Sequence, residues 1–113
     1  MKKFIATLLL ATLATGAVAH SRVDTTTPKN GTTVDEVPAE ISFNFANDIR
    51  LTRVDMTHQD HPYVKLDLGD QKSFGRVFTL PLEGMGEGTY RIEWRGLGID
   101  GHAMQGEFSF EVD

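Results

Sequence analysis

The residues best suited to chemistry in this 113-residue sequence are four histidines, His20, His58, His61 and His102, and no cysteine accompanies them. Without cysteine there is no thiolate zinc finger, iron–sulfur cluster, thiol catalysis or disulfide scaffold. There is also no G-x-S-x-G elbow, phosphate loop, H-E-x-x-H pair or dinucleotide glycine pattern. Carboxylates such as Asp35-Glu36 and Asp67 with Asp70 fall in turn-like sequence and read as solvated charge. What remains is metal ligation by nitrogen and oxygen. In Asp100-Gly101-His102, residues two apart on an extended chain project to the same side. A carboxylate oxygen and an imidazole nitrogen can thus meet at one point, with Gly101 leaving room between them. The same tripeptide also reads as an ordinary Asp-Gly hairpin turn.

His20 gains its meaning from what precedes it. Lys2 and Lys3 stand before the apolar run from Phe4 to Leu13, Thr15-Gly16 interrupts it, and Ala17-Val18-Ala19 follows. Charged, apolar and small-residue parts in that order mark a secretory signal peptide cut after Ala19. A short hydrophobic helix that stays attached is the other reading. The expected organisation is a signal over residues 1–19 and one domain over residues 20–113. No apolar run reaches the roughly 18–20 residues that a membrane span requires. Cleavage would leave His20 with a free α-amine beside its imidazole. The amine's ordinary pKa of about 7.7–8.0 lets a metal displace its proton near neutral pH. With Asp100 and His102, His20 completes three nitrogens and one oxygen, a set suited to tetragonal Cu(II). A histidine placed there by chance is the competing explanation.

A second cluster, His58-Gln59-Asp60-His61, follows Met56. It reads as a solvated loop or as a weaker secondary metal site formed by Met56, His58, His61 and Met104. Met104, two residues beyond His102, also reads as simple packing. The formal charge of −5 becomes −7 once Lys2 and Lys3 leave with the signal. Such a balance argues against nucleic acid as a partner, because phosphate binding needs a basic face.

These groups must be positioned by strands. Ile41, Phe43 and Phe45 alternate with polar residues, as do Tyr90, Ile92 and Trp94, and then Phe108, Phe110 and Val112. Period-two alternation predicts half-buried β-strands. Weaker strands are expected over Val23–Thr27, Leu51–Thr57, Tyr63–Leu68 and Arg76–Leu82. Pro28-Lys29-Asn30-Gly31, Gly69-Asp70, Gly84-Met85-Gly86 and Gly96 to Gly101 mark chain reversals. Some seven short strands in a chain of this size predict an all-β, immunoglobulin-like Greek-key β-sandwich, with a small barrel as the alternative.

The progression from Gly88-Thr89-Tyr90 through Trp94-Arg95, Asp100-Gly101-His102 and Gly106-Glu107-Phe108 to Val112 resembles the CopC family of periplasmic copper-resistance proteins. The first half of the chain adds Thr27-Pro28…Gly31 and Pro38…Ile41-Ser42-Phe43-Asn44-Phe45 to the likeness. The resemblance implies a periplasmic Greek-key sandwich that binds Cu(II) through the amine and side chain of His20 together with Asp100 and His102. It also implies work beside an inner-membrane copper transporter. Some members hold Cu(I) in a methionine-rich loop, and this sequence departs there, with Met56 followed by His58 and His61. Two other functions stay in view. An amine-and-imidazole chelate also serves copper mono-oxygenases, whose open coordination position Asp100 would fill. A small adhesive sandwich with no metal is the third reading.

Overall fold

The computed structural model describes residues 23–113, and the expected signal and His20 lie outside them. Seven strands follow in order: β1 (Val23–Thr27), β2 (Thr32–Val34), β3 (Glu40–His58), β4 (Val64–Lys65), β5 (Gly75–Pro81), β6 (Gly88–Gly98) and β7 (Ala103–Val112). The number agrees with the sequence expectation, but the membership differs. Ile41–Phe45 and Leu51–Thr57 are parts of the single long β3, the Tyr63–Leu68 strand shrinks to Val64–Lys65, and β2 is additional.

The merger has a physical cause. Along β3 the buried residues are Ile41, Phe43, Phe45, Ile49 and Leu51, then Val54, Met56 and His58. Between Leu51 and Arg53 the pairing with β6 slips by one residue. An extra residue of this kind bends a strand and exchanges its faces. The break between the two expected strands lies earlier, at the exposed Ala46-Asn47, where the pairing with β5 is also irregular between Asn44 and Ile49. A continuous strand therefore looks like two when alternation alone is read. β2 escaped notice because three residues show no period. It follows the Pro28–Gly31 turn and runs parallel to β7, Thr32 facing Phe110.

The bent β3 belongs to two layers. Its first half pairs with β1 on one edge and β5 on the other, and its second half pairs with β6 and β4. The order β1-β3-β6-β7-β2 leaves β1 and β2 at opposite ends of the path, so the sheet folds over without closing into a barrel. Aromatic rings fill the space between layers. Phe43 meets Phe108 edge-on at 5.5 Å and Phe45 meets Trp94 at 4.9 Å. Such pairs add about 0.5–1.5 kcal/mol beyond the area they bury. Tyr90 is fully buried, and its hydroxyl donates to the Gly86 carbonyl at 2.7 Å while accepting from the Met85 N–H at 2.9 Å. This ties the loop before β6 to the core, in the manner of the tyrosine corner of immunoglobulin-like sandwiches. The architecture is an all-β, immunoglobulin-like sandwich.

Candidate metal centre at the β6–β7 turn

Strand β6 separates the two histidine groups. It starts beside His58, which faces Tyr90, and it ends at Gly98, which faces Ile49. The residues from Ile99 to His102 then connect it to β7. Gly98 N–H donates to the His102 carbonyl at 2.9 Å, and Gly101 N–H donates to the Gly98 carbonyl at 2.9 Å. Gly101 takes a φ of 86°, which costs a residue with a Cβ far more than glycine. The tripeptide is therefore a hairpin turn, and the turn is what brings its side chains together.

His102 Nδ1–H donates to Asp100 Oδ2 at 2.8 Å, and the His102 backbone N–H donates to Asp100 Oδ1 at 3.1 Å. Both side chains face solvent, at 76 % exposure for His102 and 63 % for Asp100. Hydrogen bonds from the His102 ring and backbone hold the Asp100 carboxyl below its usual range. The same ring hydrogen bond, reinforced by the carboxylate's charge, raises His102 above the usual imidazole value. With Nδ1 turned toward Asp100, Nε2 is the imidazole nitrogen left for a ligand. A carboxylate that accepts one ring N–H fixes a histidine's orientation and strengthens its other nitrogen as a donor. Among the described residues no three His, Asp or Glu side chains gather tightly enough to hold a metal ion by themselves. Asp100 and His102 supply a half-site that needs donors from elsewhere.

The secondary cluster is not assembled. Met56 is fully buried in the core. Its neighbour His58 is only 5 % exposed, and its Nε2–H donates to the Glu87 carbonyl at 2.7 Å. His61 lies on the surface, with Nδ1–H donating to the His58 carbonyl at 3.1 Å. The two rings stack at 5.6 Å with planes 14° apart. Stacked rings aim their nitrogens side by side rather than at a shared point. Met104 faces Gly96, at the end of β6 remote from His58. His58 is thus a core residue where a solvated loop was expected. The signal that could have shown this is the alternation itself, since His58 continues the inward row of Val54 and Met56.

The profile of the CopC domain matches residues 23–113. Copper resistance protein C of Escherichia coli is 29% identical over 117 aligned positions, spanning 92% of this chain and 90% of that protein. Copper resistance protein C of Xanthomonas campestris pv. juglandis is also 29% identical, spanning 93% and 90%. Among solved structures, CopC from Methylosinus trichosporium OB3b superposes with a TM-score of 0.69 at 22% identity, covering 83% of this chain and 94% of that one. PcoC, described as a methionine-rich copper resistance protein from Escherichia coli, superposes at 0.58 with 25% identity, covering 84% and 100%. With a match across every described residue, the chain belongs to the CopC family.

Proposed function

We propose that this protein is a periplasmic Cu(II)-binding protein of copper homeostasis and resistance. It holds the ion through the His20 amine and imidazole with Asp100 and His102, and exchanges it with a membrane copper transporter. The observation that carries the reading is the solvent-facing Asp100–His102 pair, at 2.8 Å on a hydrogen-bonded turn. The donors fit the cargo: imidazole nitrogen and carboxylate oxygen suit Cu(II), the strongest binder of the divalent series. The chain direction also suits His20. From Thr27 back to Val23, β1 runs beside β3 from Ser42 to Phe45, toward Ile49 and its partner Gly98. Two residues, Ser21 and Arg22, separate Val23 from a terminus at His20, so three peptide steps give a reach of about 10 Å of extended chain.

This donor set gives holding rather than catalysis. Four protein donors fill the equatorial plane and leave no strong position for oxygen, which oxidative chemistry would need. The names of the Escherichia coli and Xanthomonas relatives, both copper resistance proteins, support the same physiological setting. The test begins with mass spectrometry of the exported protein, which should start at His20. Electron paramagnetic resonance of its Cu(II) form should then count three nitrogens. Retaining one extra residue before His20 should weaken Cu(II) binding sharply, and undiminished affinity would remove the amine from the ligand set.

A further inference from the structure

Met104 is a sulfur-bearing side chain at the β6–β7 end that the Cu(II) reading does not use. It lies on the inner face of β7 opposite Gly96, half-buried, with one flank packed on the core. Its other flank borders the turn. A Cβ added to Gly98 would stand 2.7 Å from Met104 Cε, 3.4 Å from Met104 Sδ and 3.1 Å from Asp100 Oδ1. The methionine therefore fills the space that a side chain at position 98 would take, and its sulfur and the Asp100 carboxylate flank the same point. The other oxygen of that carboxylate holds the His102 ring at 2.8 Å. Thioether and carboxylate thus flank the notch over Gly98, and the imidazole is joined to them through that carboxylate.

The other methionines of residues 23–113 have no such position. Met56 is fully buried. Met85 sits in the loop before β6, where its N–H is bound to the Tyr90 hydroxyl, at the opposite end of that strand. At the start of β6 the imidazole of His58 is buried and its Nε2–H is committed to Glu87, whereas at the finish the exposed imidazole of His102 has Met104 two residues away.

We propose that Met104 is a thioether ligand that lets the Asp100–His102 site hold a soft monovalent ion, Cu(I) or Ag(I), together with His102. The proposal rests on the Cu(II) reading for the location of the site and adds a donor to it. Nitrogen and oxygen donors suit Cu(II), whereas thioether sulfur selects Cu(I). One end of the sandwich then accepts copper in either valence, without a second, methionine-rich loop.

Ag(I) is the redox-inert probe. In the processed protein carrying [methyl-13C]methionine, Ag(I) should shift the Met104 methyl resonance and leave those of Met56 and Met85 in place. Met104→Leu conserves volume and should fold. It should lower Ag(I) affinity by about tenfold more than it lowers Cu(II) affinity, a difference of about 1.4 kcal/mol. Gly98→Ala, whose new methyl would displace Met104 Cε, should weaken Ag(I) binding with the sulfur still present. A Met104 resonance that stays still while Ag(I) binds overturns the proposal, as does a Met85 resonance that moves in its stead. Equal losses of Ag(I) and Cu(II) in Met104→Leu overturn it too. The Cu(II) reading is judged separately by the paramagnetic spectrum. A protein without the nitrogen-rich Cu(II) signal but with a Met104-dependent Ag(I) response would lose that reading and keep the thioether site.

Discussion

The two ends of β6 each present histidine, a His58–His61 stack at one and a His102–Asp100 pair at the other, and they put imidazole to opposite uses. At the start of the strand, His58 is packed against Tyr90 with ring centroids 4.6 Å apart and has Nε2–H committed to the Glu87 carbonyl. Gln59 closes the same end, its N–H donating to the Thr89 carbonyl at 2.9 Å and its side-chain oxygen accepting from the Thr89 N–H at 2.8 Å. At the finish of the strand, His102 makes its ring hydrogen bond with Asp100 of its own turn and is otherwise in water. A histidine can ligate only through a nitrogen whose lone pair is both free and reachable. His58 Nδ1 is without a partner but sealed. The Nε2 of His102 is on an exposed ring. Accessibility, not residue type, separates a structural end from the end proposed to bind copper.

Exchanging alanine for each histidine gives the largest and most direct contrast. His102→Ala should lower Cu(II) affinity by about a hundredfold or more, as losses around a metal site commonly do. It should leave thermal stability nearly unchanged, since exposed substitutions usually stay within about 0.5 kcal/mol. His58→Ala should do the reverse. Loss of a buried ring and its hydrogen bond should cost about 2–4 kcal/mol of stability, with Cu(II) affinity retained in the folded protein. Denaturant titration and competitive copper titration of both variants measure the pair of effects. Copper lost from a folded His58→Ala protein would break the division between the ends.

Two glycines sharpen the same contrast with smaller effects. Gly88, at the closed end, has a φ of 123°, and a Cβ there would stand 2.8 Å from Gln59 Cδ and 2.9 Å from His58 Nε2. Gly101, at the open turn, has a φ of 86° and nothing within 4 Å of its Cβ position. Gly88→Ala meets backbone strain and overpacking together and should cost about 2–4 kcal/mol. Gly101→Ala meets strain alone and should cost about 1–2 kcal/mol. Equal losses in denaturant unfolding would mean that the closed end yields as readily as the open one.

Legibility in the sequence followed the same division. The Asp100-Gly101-His102 contact could be read locally, because three consecutive residues and the turn signal of Asp-Gly determine it. The alternations of Ile41 to Phe45, Tyr90 to Trp94 and Phe108 to Val112 placed most of the core, and the bounds of β1 agree as well. What could not be read depends on contacts between distant segments. The single strand β3 was hidden by the exposed Ala46-Asn47, and its continuity shows only in its pairing with β5 and β6. The burial of His58 depends on Glu87 and Tyr90, and the place of Met104 depends on Gly98. Those partners lie in other strands or loops, and no short spacing encodes them. His20 belongs to a different case, since its chemistry is legible but its position lies outside the described residues.

The mildest effect should come from protons, and it should be confined to the open end. In the metal-free protein the His102 hydrogen bond holds Asp100 below its ordinary 3.8, and the same contact holds His102 above its ordinary 6.5. The signs are opposite. The contribution of His102 is complete below its ordinary value and is lost as pH rises through the raised one. That of Asp100 is complete above its ordinary value and is lost as pH falls through the lowered one. The charged pair therefore persists across the whole interval between those ordinary values. Both groups are solvent-screened, so the melting temperature should barely register either transition. Copper should register the upper one, because a proton bound more firmly at His102 competes with the metal to a higher pH. In Asp100→Asn, imidazole resonances of the metal-free protein should show His102 titrating back near its ordinary value. The resonances of His58, whose ring contacts lie at the far end of β6, should not change. An unchanged His102 titration would mean that Asp100 does not govern this ring, and the turn would then be merely exposed rather than prepared for a ligand.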